Sequence, residues 1–218
     1  MRTQKEYWNK KISEWTKASY GKGSDISLTE RIATYFRSVD KRKDAALQLV
    51  GPLAKNKIVL DLGCGLGEFS FELLRYQPKK VLAYDISEIA IVEAKRIAKK
   101  LKTNSKIEFR AVDVARLKKF PRFDIAVGLG FIDYLNTPQL RHLFKLIDNK
   151  TYLFSYFEKK ASLFNLLHKI YIKLQNCPGA YKYTRTEIKK LIPTGTKLSF
   201  LKKNGLLFIN NSKRLNQS

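Results

Sequence analysis

Asp61-Leu62-Gly63-Cys64-Gly65-Leu66-Gly67 places glycine at alternate positions directly after an apolar run, with a carboxylate at its start. Glycine permits positive φ and close approach of a ligand to the backbone. A bend that enters a helix also presents that helix's first N–H groups. The stretch therefore reads as a ligand-binding bend, and its neighbours decide the ligand. A dinucleotide fingerprint, G-x-G-x-x-G, needs a small residue at position 68. Glu68 stands there and would set a carboxylate against a pyrophosphate. The phosphate loop G-x-x-x-x-G-K-[ST] is absent. What remains suits a nucleoside without phosphates, whose amine and sulfonium would tolerate Asp61 and Glu68. Two cysteines, Cys64 and Cys177, cannot make a disulfide framework. With only His142 and His168, a multi-histidine metal site is not expected.

The bend needs a sheet to hold it. Lys57–Leu62 is a short apolar run ending at glycine, the pattern of a buried parallel strand. Further strands are expected at 81–85, 107–112, 123–129 and 152–156. Helices fall between them, one capped by Ser87 and one over about 138–147. The βαβαβ–βαβ order implies right-handed crossovers and an α/β, doubly wound sheet. Ligands bind at the carboxyl ends of strands in such sheets. Upstream, an aromatic helix carries Tyr7, Trp8, Trp15 and Tyr20. A second helix is expected from Ser27, with the capping-box pattern Ser27-Leu28-Thr29-Glu30, to Gly51-Pro52. Downstream, a helix is expected over about 160–175, then a short helix capped by Thr184. Apolar runs at 197–201 and 206–210 flank Asn204-Gly205, a hairpin signal that adds an antiparallel pair. Residues 211–218 are expected to fray.

Charge restricts the partners. The 218 residues carry 43 Lys+Arg and 19 Asp+Glu, a formal net charge of +24. The last third is the most basic, with Glu158 and Glu187 its only carboxylates. Such a field attracts anions: nucleic acid, anionic lipid head groups or an acidic substrate. Hydrophobic residues at 44% are enough for a packed core. No transmembrane segment is expected, because no apolar run approaches the ~20 residues a span requires. The first residues hold no apolar stretch that reads as a secretory signal. A cytoplasmic location is expected from this and from the sparse cysteines.

The glycine bend resembles motif I of the class I S-adenosylmethionine-dependent methyltransferases, and further marks follow in order over about residues 50–210. Asp85 ends the second strand 18 residues after Gly67, where the family's acid binds both ribose hydroxyls. Asp113-Val114 ends the third strand, at the family's adenine contact. Phe123-Asp124-Ile125-Ala126-Val127 resembles the fourth-strand motif. The resemblance implies a Rossmann-like seven-stranded sheet, mostly parallel with an antiparallel C-terminal hairpin. S-adenosyl-L-methionine is the implied cofactor. Asp61, Gly63, Cys64, Gly65, Gly67, Asp85, Ile86, Asp113, Val114 and Leu129 are the implied cofactor-binding residues. Residues 1–50 read as a helical lid or cap and 51–218 as the methyltransferase domain. Residues 127–135 and 177–184 are similar to small-molecule members, among them the branch related to magnesium-protoporphyrin O-methyltransferase.

On the acceptor side the resemblance singles out Asp133 and Tyr134 as catalytic candidates, because the loop after the fourth strand faces the transferring methyl in this fold. Tyr20 and His168 are candidate lid or substrate residues. Lys159, Lys160, Lys169 and Lys173, with Phe157, Phe164 and Leu167, suggest a pocket for an apolar acid. Asp133 could equally cap the helix near Thr137, and His142 reads as structural. The motif [DNS]-P-P-[YFW] of amino-group methylation in nucleic acid is absent, and no ribose-type Lys-Asp-Lys-Glu arrangement is visible. The expected function is methyl transfer to O or N of a small anionic molecule. The charge keeps an RNA methyltransferase as an alternative, and a catalytically inactive methyltransferase-like binding protein is a third reading.

Overall fold

The computed structural model describes residues 3–20, 39–159 and 177–216. Strands β1 (Ile58–Leu62), β2 (Lys80–Asp85), β3 (Ile107–Ala111), β4 (Ile125–Gly128), β5 (Thr151–Tyr156), β6 (Ser199–Lys203) and β7 (Leu206–Asn210) form one sheet. Their order is β3-β2-β1-β4-β5-β7-β6. The first five run parallel, and β7 is antiparallel to both β5 and β6. The chain steps outward from β1 to β2 and β3, then returns to build β4 and β5 on the other side. That reversal lies between β1 and β4, so a crevice opens at their carboxyl ends.

Strand side chains alternate between faces, and each face has its own core. Val59, Val81, Ala83, Ile107 and Val127 pack against helices α2 (Val39–Ala54) and α4 (Glu88–Lys100). Leu60, Leu62, Leu82, Tyr84 and Phe154 pack against α5 (Thr137–Leu146) and α6 (Arg185–Lys189). Helix α3 (Glu68–Leu73) follows the glycine bend, and α1 (Gln4–Tyr20) lies outside the sheet. The Ile58 amide donates to Asp124 Oδ2 at 2.8 Å, tying the start of β1 to the segment before β4.

Most expected elements are present, with displaced ends. The hairpin turn has positive φ at Asn204 (52°) and Gly205 (78°), as a two-residue turn matched to strand twist demands. Strand β6 lies two residues later than its apolar run. Thr184 and Glu187 form both bonds of a capping box at α6. Two expectations change. Helix α2 does not stop at Gly51-Pro52 but runs to Ala54. Packing outweighs the lost proline N–H, because Ala45, Ala46, Leu49 and Val50 are fully buried. The tail does not fray throughout: 213–216 form a 3-10 turn that buries Leu215 completely. Asn210 Nδ2 secures it by donating to Asn216 Oδ1 at 3.0 Å. The Ser27 capping box and the helix expected over 160–175 lie outside the described residues.

Asp61, on β1, is 2% exposed, and its Oδ2 accepts Ser70 Oγ at 2.6 Å from α3. Burial, with Asp85 nearby, pushes its pKa from 3.8 up to about 7 against the opposing Ser70 hydrogen bond. Between these values the folded chain holds a proton that the unfolded chain has released. Stability contributed by Asp61 therefore falls as pH rises through that window. The melting temperature should fall between about pH 4 and about pH 7, and Asp61→Asn should flatten that slope. Identical slopes in the two proteins would remove Asp61 as the cause. Independently, a Cβ on Gly51 would lie 2.5 Å from the Tyr76 ring. Gly51→Ala should cost about 1–3 kcal/mol in urea unfolding, and less when Tyr76→Ala is also present.

Candidate active site

The carboxyl ends of β1 to β4 open into a cavity of 630 Å³, lined by Gly63, Gly65, Asp85, Ile86, Asp113, Val114, Leu129 and Tyr134, among others. This volume lies within the range of small-molecule sites. The glycine bend continues β1 onto β2: the Gly63 and Cys64 amides both donate to the Tyr84 carbonyl, at 2.8 and 3.1 Å. Gly65 has φ 54°, and nothing lies within 4 Å of where its Cβ would be. Any side chain there would project into open space at the cavity wall.

Asp85 joins two loops. Its Oδ2 accepts the Gly65 amide at 2.9 Å and its Oδ1 the Ser87 amide at 2.8 Å. Burial raises its pKa, and the amides of Ser87, Gly65 and Ile86 pull it back. The carboxylate, with about four acceptor positions in all, is not filled by these amides. Asp113 is engaged in a similar way: Oδ1 accepts the Ala115 amide at 3.0 Å, and Oδ2 lies 3.1 Å from Arg116 Nε.

Helix α1 roofs the cavity with Gln4, Lys5, Trp8 and Ile12. Gln4 Nε2 donates to the Tyr134 carbonyl at 2.6 Å, and the Trp8 and Tyr134 rings meet edge to face at 5.1 Å. At the other rim, Ser87 Oγ donates to Asn9 Oδ1 at 2.8 Å, and Lys5 Nζ pairs with Glu88 at 2.8 Å. Tyr7 is buried without forming part of the cavity wall. The Trp15 and Tyr20 side chains, and His168 with the lysines at 160, 169 and 173, lie outside the described residues. Lys159 pairs with Glu187 at 3.5 Å.

Several expected contacts fall elsewhere. Asp61, Cys64 and Gly67 stand behind the wall. Asp61 faces Ser70, and a Cβ on Gly67 would meet Phe109 at 2.7 Å, so that glycine serves packing. Burial pushes the Cys64 thiol well up, which keeps it protonated. Glu68 is exposed on α3 and does not line the cavity. Asp133 is also outside the wall, at 5% exposure. Its Oδ1 accepts the Phe157 amide at 3.0 Å and its carbonyl the Tyr181 amide at 2.6 Å. Its Oδ2 is buried without a hydrogen-bond partner among the described residues. Burial lifts its pKa to about 6, opposed by the Phe157 amide and by Arg42 and Lys182. Nor does Asp133 cap α5, because Asn136 and Gln139 form that capping box. His142 Nε2 lies 2.7 Å from the Leu117 carbonyl, a structural contact.

The sequence does not single out two residues at or near the site, although Tyr181 lies in the 177–184 segment that is similar to small-molecule members. Arg42, on α2, carries its guanidinium 5.4 Å from the Phe157 ring centroid. A Cβ on Gly130 would collide with it. Nothing in the local sequence separates Arg42 from its neighbours Lys41 and Lys43. Tyr181 lines the cavity from the segment after the undescribed helix, a distance in sequence that no spacing rule bridges.

A family model described as a methyltransferase domain matches residues 53–213. Among curated proteins, a tRNA U34 carboxymethyltransferase of Vibrio cholerae is 29% identical over 115 residues, covering 53% of this chain and 35% of that protein. Its counterpart in Vibrio campbellii is 29% identical over 117 residues, with 54% and 35% covered. The chain thus spans about a third of the length of these relatives. Among solved structures, magnesium protoporphyrin IX methyltransferase from Synechocystis, with bound S-adenosylhomocysteine, aligns with a TM-score of 0.66 and 22% identity over 95% of this chain and 98% of that one. Geranyl diphosphate C-methyltransferase from Streptomyces coelicolor gives 0.60 and 13% over 85% and 72%. These structures share the fold, and the family model spans most of the chain. A glycine bend, a carboxylate ending β2 and a matching domain model converge on one conclusion: the chain belongs to the class I S-adenosylmethionine-dependent methyltransferases.

Proposed function

We propose that the 630 Å³ cavity binds S-adenosyl-L-methionine and that the protein methylates O or N of a small anionic molecule. The observation that carries the donor half of this reading is the Asp85–Gly65 contact in the cavity wall. The bound donor supplies a methyl group already activated by its sulfonium. Asp85, with acceptor capacity left beyond its amide donors, would take the ribose hydroxyls. Gly63 and Gly65 would let the donor approach the backbone. Asp113, Val114 and Ile86 would flank the adenine, and Leu129 would line the sulfonium side. Asp61, behind the bend, would act on the donor amine through its charge once ionised, which burial delays to about pH 7.

Trp8 and Ile12 of α1 would exclude water, which supports a cap role for the start of the expected 1–50 segment, whereas α2 packs in the sheet core and belongs with the catalytic domain of 51–218. Tyr134 would face the acceptor. Asp133 would position it, because its Oδ1 and carbonyl hold the Phe157 and Tyr181 amides. Alignment of acceptor and methyl group can supply roughly 7–11 kcal/mol of a barrier, so little further acid–base help is required. The free cysteines Cys64 and Cys177 support a cytoplasmic setting. Among the described residues no helix is long and apolar enough to cross a membrane.

RNA is the second reading of the acceptor. The net charge of +24 and the tRNA-modifying relatives support it. A steep fall of RNA affinity with salt would favour it, and a slope near zero would count against it.

Calorimetry with S-adenosylhomocysteine tests the donor half. The wild type should bind, and Asp85→Asn should weaken binding by about 10–100-fold through lost charge-assisted hydrogen bonds. Gly65→Val should abolish binding, because a β-branched residue is strained at φ 54° and the ligand-binding bend would have to shift. Absence of wild-type binding at high micromolar ligand would defeat the cofactor assignment.

A further inference from the structure

A second cavity of 380 Å³ lies beside the first and shares Tyr181 with it. Its walls bring together Arg141 from α5, Lys182, Tyr183, and Lys190 just after α6, with one carboxylate, Glu187. That carboxylate is already engaged. Glu187 Oε2 accepts the Thr184 amide at 2.7 Å and the Thr184 hydroxyl at 3.0 Å, and Oε1 lies 3.5 Å from Lys159. These contacts lower its pKa. Lys182 is half-buried: burial lowers its pKa and Asp133 raises it. Arg141 and Lys190 are exposed and pair with no carboxylate among the described residues. The walls are firmly held. The Tyr183 hydroxyl donates to the Leu135 carbonyl at 2.6 Å, and the Tyr181 amide donates to the Asp133 carbonyl at 2.6 Å.

We infer that this second cavity takes the phosphate or carboxylate of a small methyl acceptor, whose reactive end passes Tyr181 into the donor cavity. The inference rests on reading the first cavity as the donor site. Cations drawn from separate elements converge on one concave space, which suits a single anionic group held by charge-assisted hydrogen bonds. A nucleic-acid strand instead needs a groove that follows successive phosphates. Tyr181, between the two spaces, offers an aromatic face to the acceptor's apolar body.

The test uses the full chain with the donor cavity saturated by S-adenosylhomocysteine. Phenyl phosphate and benzoate are titrated by calorimetry, with phenol as the uncharged control. One or both acids should bind by about 10 mM and phenol should not, and the stronger acid identifies whether phosphate or carboxylate is preferred. The double variant Arg141→Glu, Lys190→Glu should lose acid binding by about tenfold or more while its S-adenosylhomocysteine affinity stays unchanged. Arg141→Gln, Lys190→Gln should show an intermediate loss, and serves if charge reversal disturbs folding. Equal acid affinity in wild type and variants would overturn the inference, as would no acid binding. Displacement of the bound acid by a single-stranded RNA oligonucleotide at equimolar concentration would also overturn it in favour of RNA. Failure of S-adenosylhomocysteine to bind the wild type would instead strike the donor assignment, and the acid titrations then report on the second cavity alone.

Discussion

The active region depends on one partly buried carboxylate. Asp85 accepts N–H groups from Gly65 after β1 and Ser87 after β2, holding two loops at one distance on the carboxyl edge of the sheet. Burial alone would favour its neutral form, and the amides oppose that. Hydrogen bonds to a charged acceptor are worth about 1.5–3 kcal/mol each. The same group is therefore a strut for the bend and a candidate ligand contact.

The roof rests on the same joint. Ser87, whose amide Asp85 holds, gives its hydroxyl to Asn9 of α1, while Gln4 reaches the Tyr134 carbonyl on the opposite rim. Helix α1 thus spans the crevice between the turn after β2 and the segment after β4. That second segment is set from behind by Asp133, whose atoms hold the amides of Phe157 and Tyr181. A carboxylate that looked like a reactive group on the acceptor side is instead a backbone anchor. The charges of Arg42 and Lys182 favour its ionised form against burial.

The uneven charge of the chain has a local counterpart. Most cations lie spread over the surface, where solvent screens them. Arg141, Lys182 and Lys190 differ because α5 and the segments around α6 bring them to one cavity. On the proposed reading that arrangement, more than the total of +24, is where the charge acts.

Local patterns in the chain were enough to determine the strands, their parallel order, the glycine bend, the hairpin at Asn204-Gly205 and the acid at the end of β2. Each depends on neighbours in sequence: apolar runs, caps, and glycines at positive φ. Helix α2 continuing through Pro52, and the buried Leu215, were decided by tertiary packing that outweighed local stop signals. Asp61 and Asp133 turning away from the cavity, Arg42 arriving at Gly130, and Tyr181 joining the wall were decided in the same way. These placements depend on which distant segments the fold brings together, and spacing along the chain carries no record of distance across it.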